Sequence, residues 1–284
     1  MMQNCPECSR PIQDSEGPNC PGCFIGHVGY PNVRRARSKV HVDALDQRYR
    51  LARSEAEARG AVSRFDQFAN ATAASQAVVN VERSFLIMLM TTDMPYAAYR
   101  AQIVAGTRSR AKGDWDRQRA GVDGILFGTY DHEVRFATLT INRSGLTSYG
   151  EYSLVLKEDH IAERTSLLDE NSYDFVRRHR LTPLEPIPTG HIAPWEDRGK
   201  LATAARASEI TMTTIEADFP DILTQSEGQR ETDRFVEAHI FGPFSRYTVA
   251  SIEGPLSGLK KRERAKLMAV KDFLEAAGGT WIDS

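Results

Sequence analysis

The amino-acid sequence predicts an α+β protein, and three features carry this prediction. Four cysteines lie within the first two dozen residues, and the rest of the chain has none. A long stretch with helical spacing of its apolar residues follows them, and from about residue 124 strand-like segments are separated irregularly by helical ones. We therefore predict a zinc ribbon over residues 1–30, a helical segment over 31–123 and a mixed α+β domain over 124–284.

The composition is that of an ordinary globular protein, with 284 residues, a formal net charge of −2 and 26% charged residues. Because the chain as a whole is not basic, contact with nucleic acid would require a local patch. The apolar run FLIMLM at 85–90 is too short to span a bilayer, and the N-terminus lacks the layout of a signal peptide. We expect no membrane partner and a cytoplasmic location.

The cysteines form the pattern CPEC followed by CPGC, with Cys5, Cys8, Cys20 and Cys23 as the thiols. Two disulfides could use the same residues, but paired Cys-x-x-Cys turns in a chain without a secretion signal are typical of a tetrathiolate Zn²⁺ site. His27 is an alternative ligand. A closed four-sulfur shell leaves no open position on the metal, so the ribbon is predicted to fold around Zn²⁺ and present a small surface to a partner.

Residues 38–91 are predicted as one long or interrupted helix with a break near Gly60, because proline is absent from 32–94. The arginine-rich first half either binds phosphate or an acidic partner, or is a solvated face with compensating acidic residues. The second half, ASQAVVNVERSFLIMLM, is apolar enough to be predicted as a buried helix. Further helical sequence runs over 96–123.

In the mixed region, strands are predicted for VRFATLTIN, SYGEYSLVLK, RTSLL, DRFVEAHIFGPF and RYTVASIEG. Helices are predicted for PWEDRGKLATAARASEI, which begins with proline and acidic residues, and for LKKRERAKLMAVKDFLEAAGG, which ends at glycines. The motifs GxGxxG, GxxxxGKS/T, HExxH and GxSxG do not occur. The usual nucleotide, metalloprotease and hydrolase sites are therefore unsupported.

The predicted strand FVEAHIFGPF, residues 235–244, places Glu237 and His239 on the same face as two phenylalanines. An ionisable pair between aromatic rings is typical of a binding cleft, but an exposed sheet face beside partly covered rings has the same pattern. The sequence leaves both alternatives open.

A resemblance to a known family rests on these segments. Four segments of the mixed region resemble bacterial domains related to the ADP-ribosyltransferase superfamily. They are, in chain order, SYGEYSLVLK, Arg164 with Thr165 and Ser166, Glu-Asn-Ser at 170–172, and the late strand with Glu237 followed by His and Gly-Pro. The resemblance covers about residues 124–252. It implies a split, strongly bent mixed sheet that holds NAD in a cleft, with a late-strand glutamate as the catalytic residue.

The resemblance also implies roles for individual side chains. Glu237 would stabilise the oxocarbenium-like state that forms as the bond between nicotinamide and ribose breaks. Tyr149 would form a wall for the nicotinamide ring, although a core or strand-capping role is equally open. The pyrophosphate would be held by an arginine, with Arg143 and Arg164 as the first candidates and Arg135 as the third. The full set of expected NAD contacts is Arg143, Ser148, Tyr149, Arg164 and Ser166.

The function that follows from this resemblance is NAD-dependent mono-ADP-ribosylation by an intracellular toxin or defence effector. NAD would be the substrate and Zn²⁺ the structural metal. The partners would include a nucleic acid or protein acceptor and an antitoxin. The alternative is a non-enzymatic zinc-ribbon adaptor that binds nucleic acid or a protein.

Overall fold

The structure is a computed structural model that describes residues 4–13, 16–92, 94–97, 115–183, 185–230 and 232–284. This part of the chain contains ten α-helices. Their bounds are α1 Pro31–Ala36, α2 Lys39–Ala58, α3 Val62–Ala73, α4 Arg83–Thr91, α5 Trp115–Phe127, α6 Glu158–Ile161, α7 Ser172–His179, α8 Arg198–Arg206, α9 Phe219–Leu223 and α10 Lys261–Ala276. Within the described ranges no helix combines the length and the hydropathy needed to cross a bilayer.

Eight strands form one mixed sheet in the order β5-β4-β6-β2-β1-β3-β7-β8. All neighbouring strands are antiparallel except β7 and β8, which are parallel. The edge strands β5 and β8 have only three residues each, which limits pairing with another chain. The bounds are β1 Gln76–Val81, β2 Val134–Thr140, β3 Tyr152–Leu156, β4 Thr165–Leu168, β5 Ile192–Pro194, β6 Glu237–Phe241, β7 Val249–Glu253 and β8 Thr280–Ile282.

The α+β class predicted from the sequence is confirmed, together with the strands of the mixed region and the C-terminal helix. The predicted interruption near Gly60 is also present, since this residue has φ +72° between α2 and α3. The prediction of one buried helix in ASQAVVNVERSFLIMLM is wrong in its first half. Residues 76–81 form β1, which pairs with β2 and β3 in the middle of the sheet, and α4 begins only at Arg83. Three valines make this segment a good strand, but only pairing with distant strands reveals it.

The two faces of the sheet are covered by different helices. On one face, α2, α3, α4, α8 and α10 pack over a large apolar core that includes Val79, Leu154 and Ile240. On the other face, a smaller core contains Val134, Leu168 and the end of β6, and α1, α5 and α7 lie over it. Side chains alternate along β6, so Glu237 and His239 belong to the second face.

The N-terminal ribbon is fixed to the sheet through α1. Arg34 donates to the carbonyls of Gln13 at 3.1 Å and of Glu16 at 2.5 Å. Two residues earlier, the Asn32 amide donates to the carbonyl of His239 at 2.8 Å and to Ser166 Oγ at 3.2 Å. A short helix therefore connects the cysteine cluster to the strands that carry the ionisable pair.

Candidate functional site

Glu237, the first residue of β6, is a buried carboxylate with only 2% of its surface exposed. Its Oε2 accepts a hydrogen bond from the backbone N–H of Ser172 at 2.8 Å, and His239 Nε2 lies 3.3 Å from the same oxygen. Ser172 is the first residue of α7, so the carboxylate lies where the helix N-terminus favours negative charge. β6 and α7 together thus stabilise the negative charge of the Glu237 carboxylate.

The second oxygen of Glu237 faces an arginine on α5. Arg119 Nη2 lies 3.2 Å from Oε1, and the guanidinium stacks on the ring of Phe136 with its Cζ 3.7 Å from the ring centroid. Phe136 is on β2, which pairs directly with β6. The arginine is thereby held by an ion pair on one side and a cation–π contact on the other.

Opposing effects set the pKa of Glu237. Burial alone would raise it, but the charge of Arg119, the hydrogen bond and charge of His239, and the hydrogen bond from Ser172 outweigh burial and lower the pKa to about 2. The carboxylate is therefore ionised at neutral pH. This is the state needed to stabilise a developing positive charge.

Asp123 provides a second acidic group beside Arg119. Its Oδ1 lies 3.0 Å from Arg119 Nε, four residues along the same helix. Burial raises the pKa of Asp123 to about 6, while the neighbouring guanidinium acts in the opposite direction. A carboxyl with this pKa changes its charge close to neutral pH, unlike Glu237.

The loop between β2 and β3 completes the site. Arg230 stacks on Tyr149 with its Cζ 4.5 Å from the ring centroid, and Ser148 Oγ donates a hydrogen bond to Asp233. Burial raises the pKa of the Tyr149 phenol, which lies close enough to Arg119 and Glu237 for their charges to act on it. Two of the residues expected to contact NAD are therefore near the carboxylate expected to be catalytic.

Asn80 on β1 explains why this loop lies where it does. Its Oδ1 accepts the backbone N–H of Leu146 at 2.7 Å, and its Nδ2 donates to Ser153 Oγ at 3.0 Å. The loop is thus fastened to the central strand. The strand that was predicted as a helix positions one wall of the site.

Two buried oxygens near this cluster are unsatisfied. Among the described residues, no group hydrogen-bonds to Ser172 Oγ or to Asp233 Oδ1, and both residues are buried. Buried polar atoms without partners are uncommon and are expected to contact water or a ligand. Ser172 contacts Glu237 through its backbone N–H, and Asp233 accepts a hydrogen bond from Ser148, so both oxygens belong to residues of the site.

The other three residues expected to bind NAD lie further away or are covered. Ser166 is buried on β4 directly opposite His239, beneath the Asn32 amide. Arg164 lies near the opposite end of β6, where its Nη1 donates to the carbonyls of Phe241, Gly242 and Pro243. Arg143 is exposed in the β2–β3 loop, with φ +68°.

Sequence reasoning did not single out Arg119, Asp123 or the N–H of Ser172. Arg119 and Asp123 are an i, i+4 pair on α5, which is a visible signal of a helical ion pair. This spacing does not predict that Arg119 also contacts Glu237 on the distant strand β6. Only the sheet order brings α5 over β6.

The four cysteines form a compact cluster that could hold a metal. Their Sγ atoms all lie within 4.8 Å of one another, and the Cys5–Cys23 and Cys8–Cys20 pairs are 3.6 Å apart. Four thiolates bound tetrahedrally to Zn²⁺ at about 2.3 Å would be separated by roughly 3.8 Å, so the arrangement fits zinc.

Two further details of the cysteine cluster suit a metal. A hydrogen bond from the Cys23 backbone, with help from Gly22, lowers the pKa of Cys20 to about 6, whereas burial and hydrogen bonds with the other three thiols raise the pKa of Cys8 to about 12. Gly26 lies against the cluster, where a Cβ would be 2.5 Å from Cys5 Sγ. The alternative ligand His27 is exposed and contacts the ring of Tyr30 instead. Comparison with protein-family models and with curated proteins gives no match for this chain.

Proposed function

We propose that the protein is an NAD-dependent mono-ADP-ribosyltransferase in which Glu237 is the catalytic carboxylate. One observation carries the proposal: an ionised, buried glutamate at the start of a late strand, facing an arginine and close to a tyrosine. The sequence resemblance implies a catalytic glutamate on a late strand, and Glu237 has that position in the chain. NAD is the substrate, and a nucleic acid or a protein supplies the acceptor.

In the proposed reaction, the bond between ribose C1′ and the nicotinamide nitrogen breaks, and its electron pair leaves with nicotinamide. The positive charge that develops on the ribose is stabilised by the Glu237 carboxylate, which also accepts a hydrogen bond from the ribose 2′-hydroxyl. A nucleophile of the acceptor then bonds to C1′ and releases its proton to solvent. Tyr149 provides a flat surface for the nicotinamide ring, and Ser148 extends that wall.

The covering helix sets a condition on this proposal. Glu237 is 2% exposed because α5 lies over it, so α5 must shift before NAD reaches the carboxylate. Arg119, which contacts Glu237 in the structure, is the arginine to which we assign the pyrophosphate once α5 has shifted. Its planar guanidinium suits two phosphate oxygens.

The test is release of nicotinamide from NAD by the purified protein, alone and with DNA, RNA or cell extract. Glu237→Gln should abolish turnover while leaving the far-ultraviolet circular dichroism unchanged. Glu253→Gln, which changes a carboxylate on the distant strand β7, should retain wild-type turnover. Absence of both turnover and NAD binding under every addition would refute the proposal.

A non-enzymatic adaptor is the second candidate, and one observation favours it. Phe24 and Ile25, beside the second cysteine pair, are 77% and 78% exposed, as expected for a binding module. An adaptor that binds a protein or nucleic acid should tolerate Glu237→Gln and lose binding on Cys20→Ser. An enzyme should instead stop releasing nicotinamide on Glu237→Gln and continue to release it on Cys20→Ser.

A further inference from the structure

The C-terminal helix α10 begins with positive charge that no acidic side chain balances. Five basic residues lie within 260–266, and all of them are exposed: Lys260, Lys261, Arg262, Arg264 and Lys266. Within the ranges that the structure describes, none of the five takes part in an ion pair, since Glu263 Oε1 lies 3.4 Å from Arg83 Nη1 on α4 instead. The chain as a whole has a net charge of −2, so this cluster is a local exception.

Helix formation does not explain this charge. The first turn of a helix favours acidic side chains, because its N–H groups without partners carry partial positive charge. In α10 that turn contains Lys261, Arg262 and Arg264, and no side chain caps the helix at Lys260. Basic groups at this end of a helix lower its stability, because they repel the helix dipole and one another. An anionic partner outside the chain is therefore the better explanation.

Two of the basic residues are aligned with an aromatic residue further along α10. Arg262, Lys266 and Phe273 follow one another at intervals of four and seven residues. At about 3.6 residues per turn, these intervals place the three side chains on one side of the helix, within about 40° of one another. At a rise of about 1.5 Å per residue, the row is about 16 Å long. A polymer with repeated negative charges can contact such a row at more than one point.

An exposed tyrosine lies at the far end of this row. The ring of Tyr247 is centred 5.8 Å from that of Phe273, and Tyr247 is 51% exposed. Arg246 contacts both rings, with its Cζ 4.2 Å from the centroid of Phe273 and 5.1 Å from that of Tyr247. Its Nη2 also donates to the Tyr247 hydroxyl at 3.2 Å. An aromatic ring that is held in place and half exposed can stack on a flat ring of a partner.

We propose that this surface, formed by the five basic residues with Arg246, Tyr247 and Phe273, binds single-stranded nucleic acid. The basic side chains contact the phosphates, and Tyr247 stacks on an unpaired base. α10 packs on the large core, which lies on the face of the sheet opposite Glu237. Binding here therefore does not depend on the proposed reaction with NAD.

Other polyanions match this surface less well. An anionic membrane would be bound through large apolar side chains on the exposed face of the helix, and Met268 is the only one exposed along α10. The remaining exposed positions beyond Lys266 are small or acidic. In duplex nucleic acid the bases are stacked on one another, so the ring of Tyr247 would have no target. A basic row beside an aromatic ring is what a single strand requires.

The test is fluorescence anisotropy of labelled oligothymidylate and oligouridylate of about 12 nucleotides, titrated with the full chain at about 50–200 mM salt. Arg262→Gln with Lys266→Gln should weaken binding about tenfold or more at the lowest salt and reduce the salt slope by about 1.4, for two lost phosphate contacts. Lys39→Gln with Arg50→Gln is the control, because it removes the same charge from exposed positions on α2. This control should bind like the wild type.

A second variant tests the aromatic part of the surface. Tyr247→Ala should weaken binding about fivefold or more and leave the salt slope unchanged, because it removes stacking and no charge. Met268→Ala, at an exposed position on another side of α10, should have no effect. Thermal unfolding shows that each variant is folded at the temperature of the assay. Binding of either oligonucleotide supports the proposal, and the tighter one identifies the sugar.

Several outcomes would overturn the proposal. One is the absence of binding to both oligonucleotides at low salt. Another is equal loss of affinity in the control on α2, which would mean that the effect comes from net charge alone. Duplex DNA that binds as tightly as the single strands, or phosphatidylserine vesicles that bind when the oligonucleotides do not, would show that Tyr247 does not stack on unpaired bases. Because each result is a binding measurement without NAD, it leaves the proposed transferase activity to its own test.

Discussion

At the scale of single residues, Glu237 is charged although almost no solvent reaches it. Three neighbours replace the hydration that burial removes: a helix N–H, an imidazole and a guanidinium. Such a carboxylate depends on its partners, because removal of one partner leaves a charge that the remaining structure cannot fully stabilise.

Arg119→Met should therefore lower the free energy of unfolding by about 3–5 kcal/mol, the usual loss when one member of a buried ion pair is removed. Urea unfolding at pH 7 measures this change. Gln118→Met alters an exposed neighbour on the same helix and should change stability by less than about 0.5 kcal/mol. Equal stability of the two variants would show that the pair is not buried in solution.

The pH dependence of stability should reveal the same carboxylate. The folded pKa of Glu237 is lowered from 4.5 to about 2, so its contribution is fully present above pH 4.5 and is lost as the pH falls toward 2. The stability difference between wild type and Glu237→Gln should thus shrink by about 3 kcal/mol over that window. Urea midpoints measured from pH 2 to 7 test this; a difference that is constant with pH would contradict the low pKa.

At the scale of elements, the loop between β2 and β3 depends on close contact with β1. Gly150 has φ +154°, and a Cβ there would lie 2.1 Å from the carbonyl carbon of Val81. No side chain fits in this position without displacing the loop from the strand. If the loop is displaced, the wall of the site that contains Tyr149 should move with the loop.

Gly150→Ala should accordingly destabilise the protein by about 2 kcal/mol or more, because steric overlap adds to backbone strain. Gly228→Ala is a matched control: it also has positive φ, +80°, but no atom within 4 Å of the added Cβ. We expect a loss of about 1 kcal/mol there. Equal losses of stability in the two variants, measured by thermal unfolding, would mean that the loop can move away from β1 without a cost in free energy.

Elements with a strong local pattern were predictable, and β1 was not. The alternation of apolar and polar residues in VRFATLTIN predicts β2, and the amphipathic tail that ends at glycines predicts α10. Both predictions place the ends of the element to within a few residues. The six residues of β1 lie directly before a helix and within an apolar stretch, so short windows cannot distinguish strand from helix. Their partners β2 and β3 decide the outcome.

At the scale of the whole molecule, the site joins elements that are distant in sequence. Glu237, Arg119 and Ser172 come from β6, α5 and α7. The carboxylate was identifiable because it interrupts an apolar strand. Its arginine was not, since the sequence contains many arginines and only the packing of α5 on the sheet selects one.

The ribbon should behave as a separable metal-dependent unit. Treatment with a zinc chelator should expose residues 4–30 to proteolysis while most of the far-ultraviolet circular dichroism persists, because the sheet has its own cores. Cys8→Ser should reproduce this behaviour without chelator, whereas Ser9→Ala should not. Complete loss of structure on chelation would instead make the metal a requirement for the entire fold.

The sheet order also governs how the chain can fold during synthesis. β2 emerges long before β6, yet Val134 pairs with Phe241 and Thr138 with Glu237. Until the ribosome has delivered that late strand, one edge of β2 remains open, and such an edge is a site for misassociation. Contacts between strands so far apart also slow folding. The strand that contains the candidate catalytic carboxylate is thus also the one that closes the middle of the sheet during biosynthesis.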